Sequence, residues 1–344
     1  MNPSLPLLLR DPVLLDDWHP VAPAAQILAG AITATDLLDT QLALWRDSAG
    51  QLHAWEDRCP HRGTRLSMGS VQGDGVRCAY HGWSFGSEGR CRHIPALPAL
   101  GEAKLKAQAA TFAVQERYGL VWVCLGTPPG APPAFPEYGD AGLRKVLCGA
   151  YDVRSSAPRI VENFLDMAHF AFVHEGILGA QQRADIADYT VEAYADAEYG
   201  QGIWARRCQT WQPQASKAEQ GGSEVEYSYR VVRPLTAILS KQTPGSKREA
   251  IALLLQPLTE TTTRVWIILA LDDFSSDDAA LRQFQDTIFL QDQPILESQS
   301  PACLPLVPGM EVSVACDRMS LAYRSYLKQQ RLRYGVLRND MEAP

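Results

Sequence analysis

The chain has 344 residues, 46% of them hydrophobic and 21% charged, with a formal net charge of −7. That length and apolar fraction support one or two buried cores, and we expect two domains. Without a basic excess to neutralise phosphates, nucleic acid is excluded as an expected partner.

The opening segment MNPSLPLLLRDP holds only a five-residue apolar run, Leu5 to Leu9, too short for a signal peptide or a membrane span. Later apolar runs, such as Ile251 to Leu255 and Val265 to Leu271, are short and bounded by polar turns, as buried strands are. The expected location is therefore cytoplasmic, with no membrane partner. From Leu42 to Arg92 the pattern is a string of short strands. Turns at Ser48-Ala49-Gly50, at Gly73-Asp74-Gly75 and across Gly86 to Gly89 predict hairpins and a small all-β domain. A further strand is expected over Gly119 to Leu125, after which the proline-rich run TPPGAPPAFPEYGD ends regular structure. The domain boundary is placed there, giving residues 1–135 and 136–344. Beyond it the sequence predicts a helix near Pro158 to His174, several strands between Thr190 and Leu271, and a helix over Asp277 to Ser298. That order gives an α+β domain with an antiparallel sheet and flanking helices.

Eight cysteines are scattered through a chain too large to need disulfide staples, and two of them lie beside histidines. Cys59-Pro60-His61 and Cys78-Ala79-Tyr80-His81 each offer one thiolate and one imidazole, and sixteen residues separate His61 from Cys78. Two cysteines and two histidines suit either a tetrahedral zinc ion or a Rieske [2Fe–2S] cluster, in which two thiolates hold one iron and two imidazoles the other. A Cys-x-His arm followed at this distance by Cys-x-x-His favours the cluster, a one-electron relay whose irons are fully ligated.

A second constellation runs through Asn163, Asp166, His169 and His174. Three residues apart, Asp166 and His169 would share a helix face. His174, five beyond His169, would point about 140° away on an ideal helix, so the helix must distort or end there, and Gly176 permits an ending. Two imidazoles and a carboxylate on one face of Fe(II) leave positions open for O₂ and substrate, as in non-haem oxygenases. Asp292 is the leading third ligand; Asp286 and Glu297 are rivals that the residues alone do not eliminate. Apolar and aromatic residues between Ala180 and Asp272, among them Trp204, Trp211, Tyr227, Tyr229, Leu235 and Ile238, are candidates for the pocket or the core.

The segments CPHRGTRLSMG, CAYHGWSF, ERYGLVWVCLG, NFLDMAHFAFVHEGILG and ILESQ resemble the terminal subunits of Rieske non-haem iron oxygenases over nearly the whole chain. The likeness is to monooxygenase-type members: saxitoxin-pathway hydroxylases and bacterial N-demethylases of caffeine. The resemblance implies a Rieske domain followed by a helix-grip-type catalytic domain, usually assembled as a head-to-tail homotrimer. It also implies that Cys59, His61, Cys78 and His81 ligate the [2Fe–2S] cluster, and His169, His174 and Asp292 a mononuclear Fe(II). By the same likeness, Asp166 would bridge a cluster histidine of one subunit to an iron-ligating histidine of the next, and Asn163 would lie near the iron. The implied activity is mono-oxygenation by O₂ of a small, nitrogen-containing polycyclic substrate, with N- or O-demethylation by the same chemistry as the alternative and aromatic-ring dioxygenation further behind. No G-x-G-x-x-G fingerprint follows a strand. Electrons from NAD(P)H would therefore come from a separate ferredoxin or flavin/iron-sulfur reductase. Between Asp57 and His93 there are six arginines (58, 62, 65, 77, 90 and 92) and three acids, a positive region suited to such a partner, to the trimer interface or to interior packing.

Overall fold

The computed structural model describes residues 11–101, 105–213, 222–242 and 248–339. The apolar run Leu5 to Leu9 lies outside the described residues. The chain divides into two compact units, Met1–Pro132 and Pro133–Pro344.

The first unit opens with a one-turn helix α1 (Pro12–Leu15), capped by the Asp11 carboxylate. Its main sheet has the order β1 (His19–Pro23), β10 (Leu120–Cys124), β9 (Thr111–Arg117), β4 (Leu52–Glu56), β3 (Thr40–Arg46), β2 (Ile32–Leu37), all antiparallel. Between β4 and β9 is inserted a four-stranded sheet of short hairpins: β5 (Ser70–Gln72), β6 (Gly75–Arg77), β7 (Ser84–Gly86) and β8 (Cys91–His93). The three expected hairpin turns fall between β3 and β4, β5 and β6, and β7 and β8. Gly75 shows why that turn takes no side chain: a Cβ there would lie 2.1 Å from the Phe85 carbonyl oxygen. The core beneath the insertion is built on Trp45, Trp55, Leu66, Val76 and Phe85, and it encloses Cys59 and Cys78.

The second unit is a seven-stranded antiparallel sheet in the order β11-β17-β16-β15-β14-β13-β12. Its strands are β11 (Arg144–Val153), β12 (Thr190–Asp196), β13 (Gly200–Gln212), β14 (Ser223–Arg233), β15 (Thr236–Gln242), β16 (Arg248–Thr259) and β17 (Thr262–Leu271). Helices α2 (Ala157–Leu165), α3 (Phe170–Val173), α4 (Asp278–Ser298) and α5 (Arg318–Gln329) accompany it. β16 and β17 are hydrophobic almost throughout and pair with a strand on each side, consistent with their central place in the sheet. The Asp277 carboxylate caps α4 by accepting from the Ala280 amide at 2.7 Å. No helix among the described residues is long and apolar enough to cross a membrane.

One expected element is different. The helix predicted near Pro158 to His174 stops at Leu165, and only the single turn Phe170–Val173 follows. Asp166 is extended (φ −87°, ψ 134°), and its carboxylate accepts from the Ala168 amide at 2.8 Å. A short aspartate side chain here satisfies a backbone donor that the helix would otherwise have used, which ends the helix. Asp166 and His169 therefore meet across a turn and not along a helix face.

Candidate active site: two metal-ligand constellations

In the first unit the two Cys/His loops have the same construction. The Gly63 amide donates to the Cys59 carbonyl at 2.9 Å, and the Gly82 amide to the Cys78 carbonyl at 3.1 Å. Both glycines have left-handed φ, +75° and +70°, so each loop turns tightly just beyond its histidine. Cys59 and Cys78 are buried, neighbour one another, and form no disulfide. Burial pushes the Cys59 thiol up to about 11, with the Cys78 sulfur adding to the rise. The imidazoles of His61 and His81 lie together nearer the surface, ring centroids 4.6 Å apart, with Trp83 stacked on His61 at 4.2 Å. Thiols thus pair with thiols and imidazoles with imidazoles. Among the described residues no three of these four ligand atoms converge within 4.8 Å of one another. A single tetrahedral ion needs such convergence; a two-iron cluster with sulfur ligands on one metal and nitrogen ligands on the other does not. All six arginines of this region are exposed, which removes interior packing as their role. Arg92 pairs with Asp74 and Arg90 with Glu88.

In the second unit His169, His174 and Asp292 offer ligand atoms that all lie within 4.8 Å of one another. His169 precedes α3 and His174 follows it, so the short helix spaces the two imidazoles. Their Nε2 atoms are 3.2 Å apart, and Asp292 Oδ1 is 3.4 Å from the first and 3.2 Å from the second. The candidate rivals are engaged elsewhere: Asp286 bonds the Tyr151 hydroxyl, and Glu297 bonds Arg154. Burial works against a charged His169, but the carboxylates of Asp166 and Asp292 outweigh it and push the imidazole up to about 9. Burial opposes the Asp292 charge too, yet both histidines hold its carboxyl down to about 2. Two imidazoles and a carboxylate, two of the three buried and all aimed at one point, are the donor set of a non-haem Fe(II) site.

Each histidine is also held from behind. Asp166 Oδ2 is 3.2 Å from His169 Nδ1, and Gln291 Oε1 is 2.8 Å from His174 Nδ1. These contacts leave both Nε2 atoms facing the common point. Asn163, on α2, donates from its amide to Asp292 Oδ1 at 3.3 Å. Gln291 is the residue that sequence reasoning missed. Its only sequence signal is adjacency to Asp292.

The triad opens into a cavity of about 140 Å³ between the sheet and α4. Leu239, Ile251, Leu253, Ile267 and Leu269 form its sheet wall, and Phe284, Gln285, Ile288 and Phe289 its helix wall. Of the aromatic and apolar residues expected to compete for the pocket, Tyr227 lines it. Trp204, Trp211, Tyr229, Leu235 and Ile238 do not.

A β-domain with paired thiols and paired imidazoles, joined to an antiparallel-sheet domain with a two-histidine-one-carboxylate centre, defines the class of protein. The sequence matches the Rieske [2Fe-2S] domain over residues 17–111 and the vanillate O-demethylase oxygenase C-terminal domain over residues 153–333. The chain belongs to the Rieske non-haem iron oxygenases, enzymes that use a [2Fe–2S] cluster and a mononuclear iron. Within that family it is 38% identical to a probable methylxanthine N7-demethylase, NdmC, of Pseudomonas sp. (strain TJI-51), over 94% of this chain and 97% of the relative. The structure of NdmA from Pseudomonas putida CBB5 with caffeine matches with a TM-score of 0.80 at 29% identity, covering 92% of this chain and 91% of that one. A 122-residue stretch, 34% of this chain and 20% of the relative, is 39% identical to the oxidoreductase NdmD of Pseudomonas putida.

Proposed function

We propose that this oxygenase N-demethylates a methylxanthine or a close purine-dione relative. Of the outcomes left open by the sequence, N-demethylation is favoured over generic hydroxylation because three relatives similar over most of their length carry the names of methylxanthine N-demethylases. The observation in this chain that carries the reading is the cavity itself. It is lined mainly by aliphatic and aromatic side chains, with Asn163, Tyr227, Lys241, Glu249, Asp273 and Gln285 as polar groups beside the triad, as a flat heterocycle with polar edges requires.

In this reading Cys59, His61, Cys78 and His81 hold the cluster, and His169, His174 and Asp292 hold the iron. When bound, these groups supply electron relay and O₂ activation. Insertion of one oxygen atom into a C–H bond of an N-methyl group consumes O₂, two electrons and two protons and gives water plus an N-hydroxymethyl product. That hemiaminal collapses to the N–H compound and formaldehyde. Asn163 fixes the Asp292 carboxylate, and Phe289 and Ile288 line the cavity on its helix side. Asp166, its side chain 37% exposed, remains reachable from outside the unit. In the head-to-tail homotrimer usual for the family, it would join His169 to a cluster histidine of the neighbouring subunit. Electrons come from a separate reductase, and the exposed arginines around the cluster loops present it with positive charge.

The test is turnover of methylxanthines by the iron-loaded enzyme with NAD(P)H and a reductase, monitoring formaldehyde and the demethylated product in equal amounts. Hydroxylated product without formaldehyde would replace demethylation by hydroxylation.

A further inference from the structure

The sheet wall of the cavity is laid down in register rows. Tyr227 stands opposite Lys241, Lys241 opposite Glu249, and Glu249 opposite Leu271. Two residues along the strands, the next row on the same face is Tyr229, Leu239, Ile251 and Leu269, with no charged member. The first row therefore places an ammonium and a carboxylate in an otherwise greasy wall. Lys241 Nζ and Glu249 Oε2 are 3.5 Å apart, with side chains only 7% and 14% exposed, and both line the cavity. Beside them the Tyr227 hydroxyl accepts from the Gln212 amide.

Its position relative to the triad follows from β11. Arg144, opposite Leu271, is ion-paired with Asp278 at the start of α4. Tyr151 farther along bonds Asp286 and stacks on Phe289, and the Asp152 carbonyl accepts from Gln293. β11 thus runs alongside α4 in the same direction, and the charged row lies level with the first turns of that helix. Leu281, which also lines the cavity, is separated from Asp292 by about 16 Å of helix. Lys241 and Glu249 line the same cavity as the triad, so one ligand in it can meet both.

We propose that Lys241 and Glu249 form a recognition subsite for a lactam edge, the ammonium donating to the ring carbonyl and the carboxylate accepting from the adjacent ring N–H. The inference rests on the methylxanthine reading and adds an orientation and a selectivity to it. In a xanthine the C6 carbonyl stands beside N7, whereas the C2 carbonyl and N3–H lie across the ring system from it, so seating the C2–N3 edge on the charged row turns an N7-methyl group toward the triad. An N-methyl group at the edge removes the donor and sets a methyl against the Glu249 carboxylate. The enzyme then takes xanthines whose N3 is already bare, and a preceding N-demethylation or an unmethylated synthesis must supply them.

Caffeine, theobromine and 7-methylxanthine all carry the N7-methyl group and differ only in methylation of the dione nitrogens. With the complete enzyme and a reductase, kcat/KM is expected to rise at least about tenfold from caffeine to 7-methylxanthine. In the K241M/E249Q double variant, and in the isosteric E249Q single variant should the former fold poorly, that ratio should fall to within about twofold. Cluster absorbance and iron content check folding in each. Equal turnover of the three compounds, or a preference that survives in both variants, overturns the subsite while leaving N-demethylation standing. Failure to demethylate any of them overturns both.

Discussion

At the scale of single residues, the two imidazoles proposed to hold the iron are oriented by different chemistries. His169 has a carboxylate behind it and His174 a neutral amide. An amide oxygen fixes the ring and its tautomer without adding charge to a site that already holds the Asp292 carboxylate. Replacing Gln291 by Leu leaves His174 Nδ1 without this acceptor. Iron affinity should drop about 10- to 100-fold, with activity recovered by excess ferrous iron and the cluster spectrum unchanged. Titration of the metal-free variant with Fe(II) checks this; unaltered affinity would show that Gln291 is incidental. Asp166 makes a different prediction because it is both a partner of His169 and partly exposed. Asp166→Asn should keep full cluster and iron content and slow turnover severely, read in a single-turnover assay that starts from reduced cluster. Full activity with normal cluster reduction would refute its bridging role.

At the scale of elements, the loops and hairpins around the cluster were legible because their information is local: a Cys-x-His or Cys-x-x-His spacing, a glycine that permits left-handed φ, a turn every few residues. The strands of the second sheet and α4 were legible for the same reason, as runs of one period bounded by turns and a capping aspartate. The α2–α3 segment was misread because Asp166 and His169 have helical spacing. The competing interaction, a side-chain carboxylate capturing the Ala168 amide, is equally local but leaves no periodic trace. Gln291 and the Lys241–Glu249 row were invisible for another reason: they matter through tertiary register, which neither residue's neighbours in sequence encode. The break has a structural counterpart in Gly179, where a Cβ would lie 2.7 Å from the backbone of Ala171 in α3. Because only backbone atoms crowd that point, Gly179→Ala must push α3 and with it His174. We expect lower mononuclear iron occupancy and a Tm reduced by several degrees, with cluster content intact. Differential scanning calorimetry with metal analysis measures both, and wild-type values for each would show that the close approach is not needed.

At the scale of the whole molecule, each of the two compact units carries one candidate metal-ligand set drawn from its own residues. The first unit segregates sulfur from nitrogen, as a relay cluster needs, and buries its thiols in the tryptophan-rich core. The second gathers mixed ligands at the mouth of an apolar cavity, as an oxygen-activating iron needs. Loss of one centre should therefore leave the other spectroscopically intact. The account as a whole depends on both centres being present together. Its most direct test is iron and acid-labile sulfide analysis of the purified protein, combined with an EPR spectrum after dithionite reduction. About three irons and two sulfides per chain with a Rieske-type signal are expected. Zinc without sulfide, in a colourless and EPR-silent protein, would contradict it.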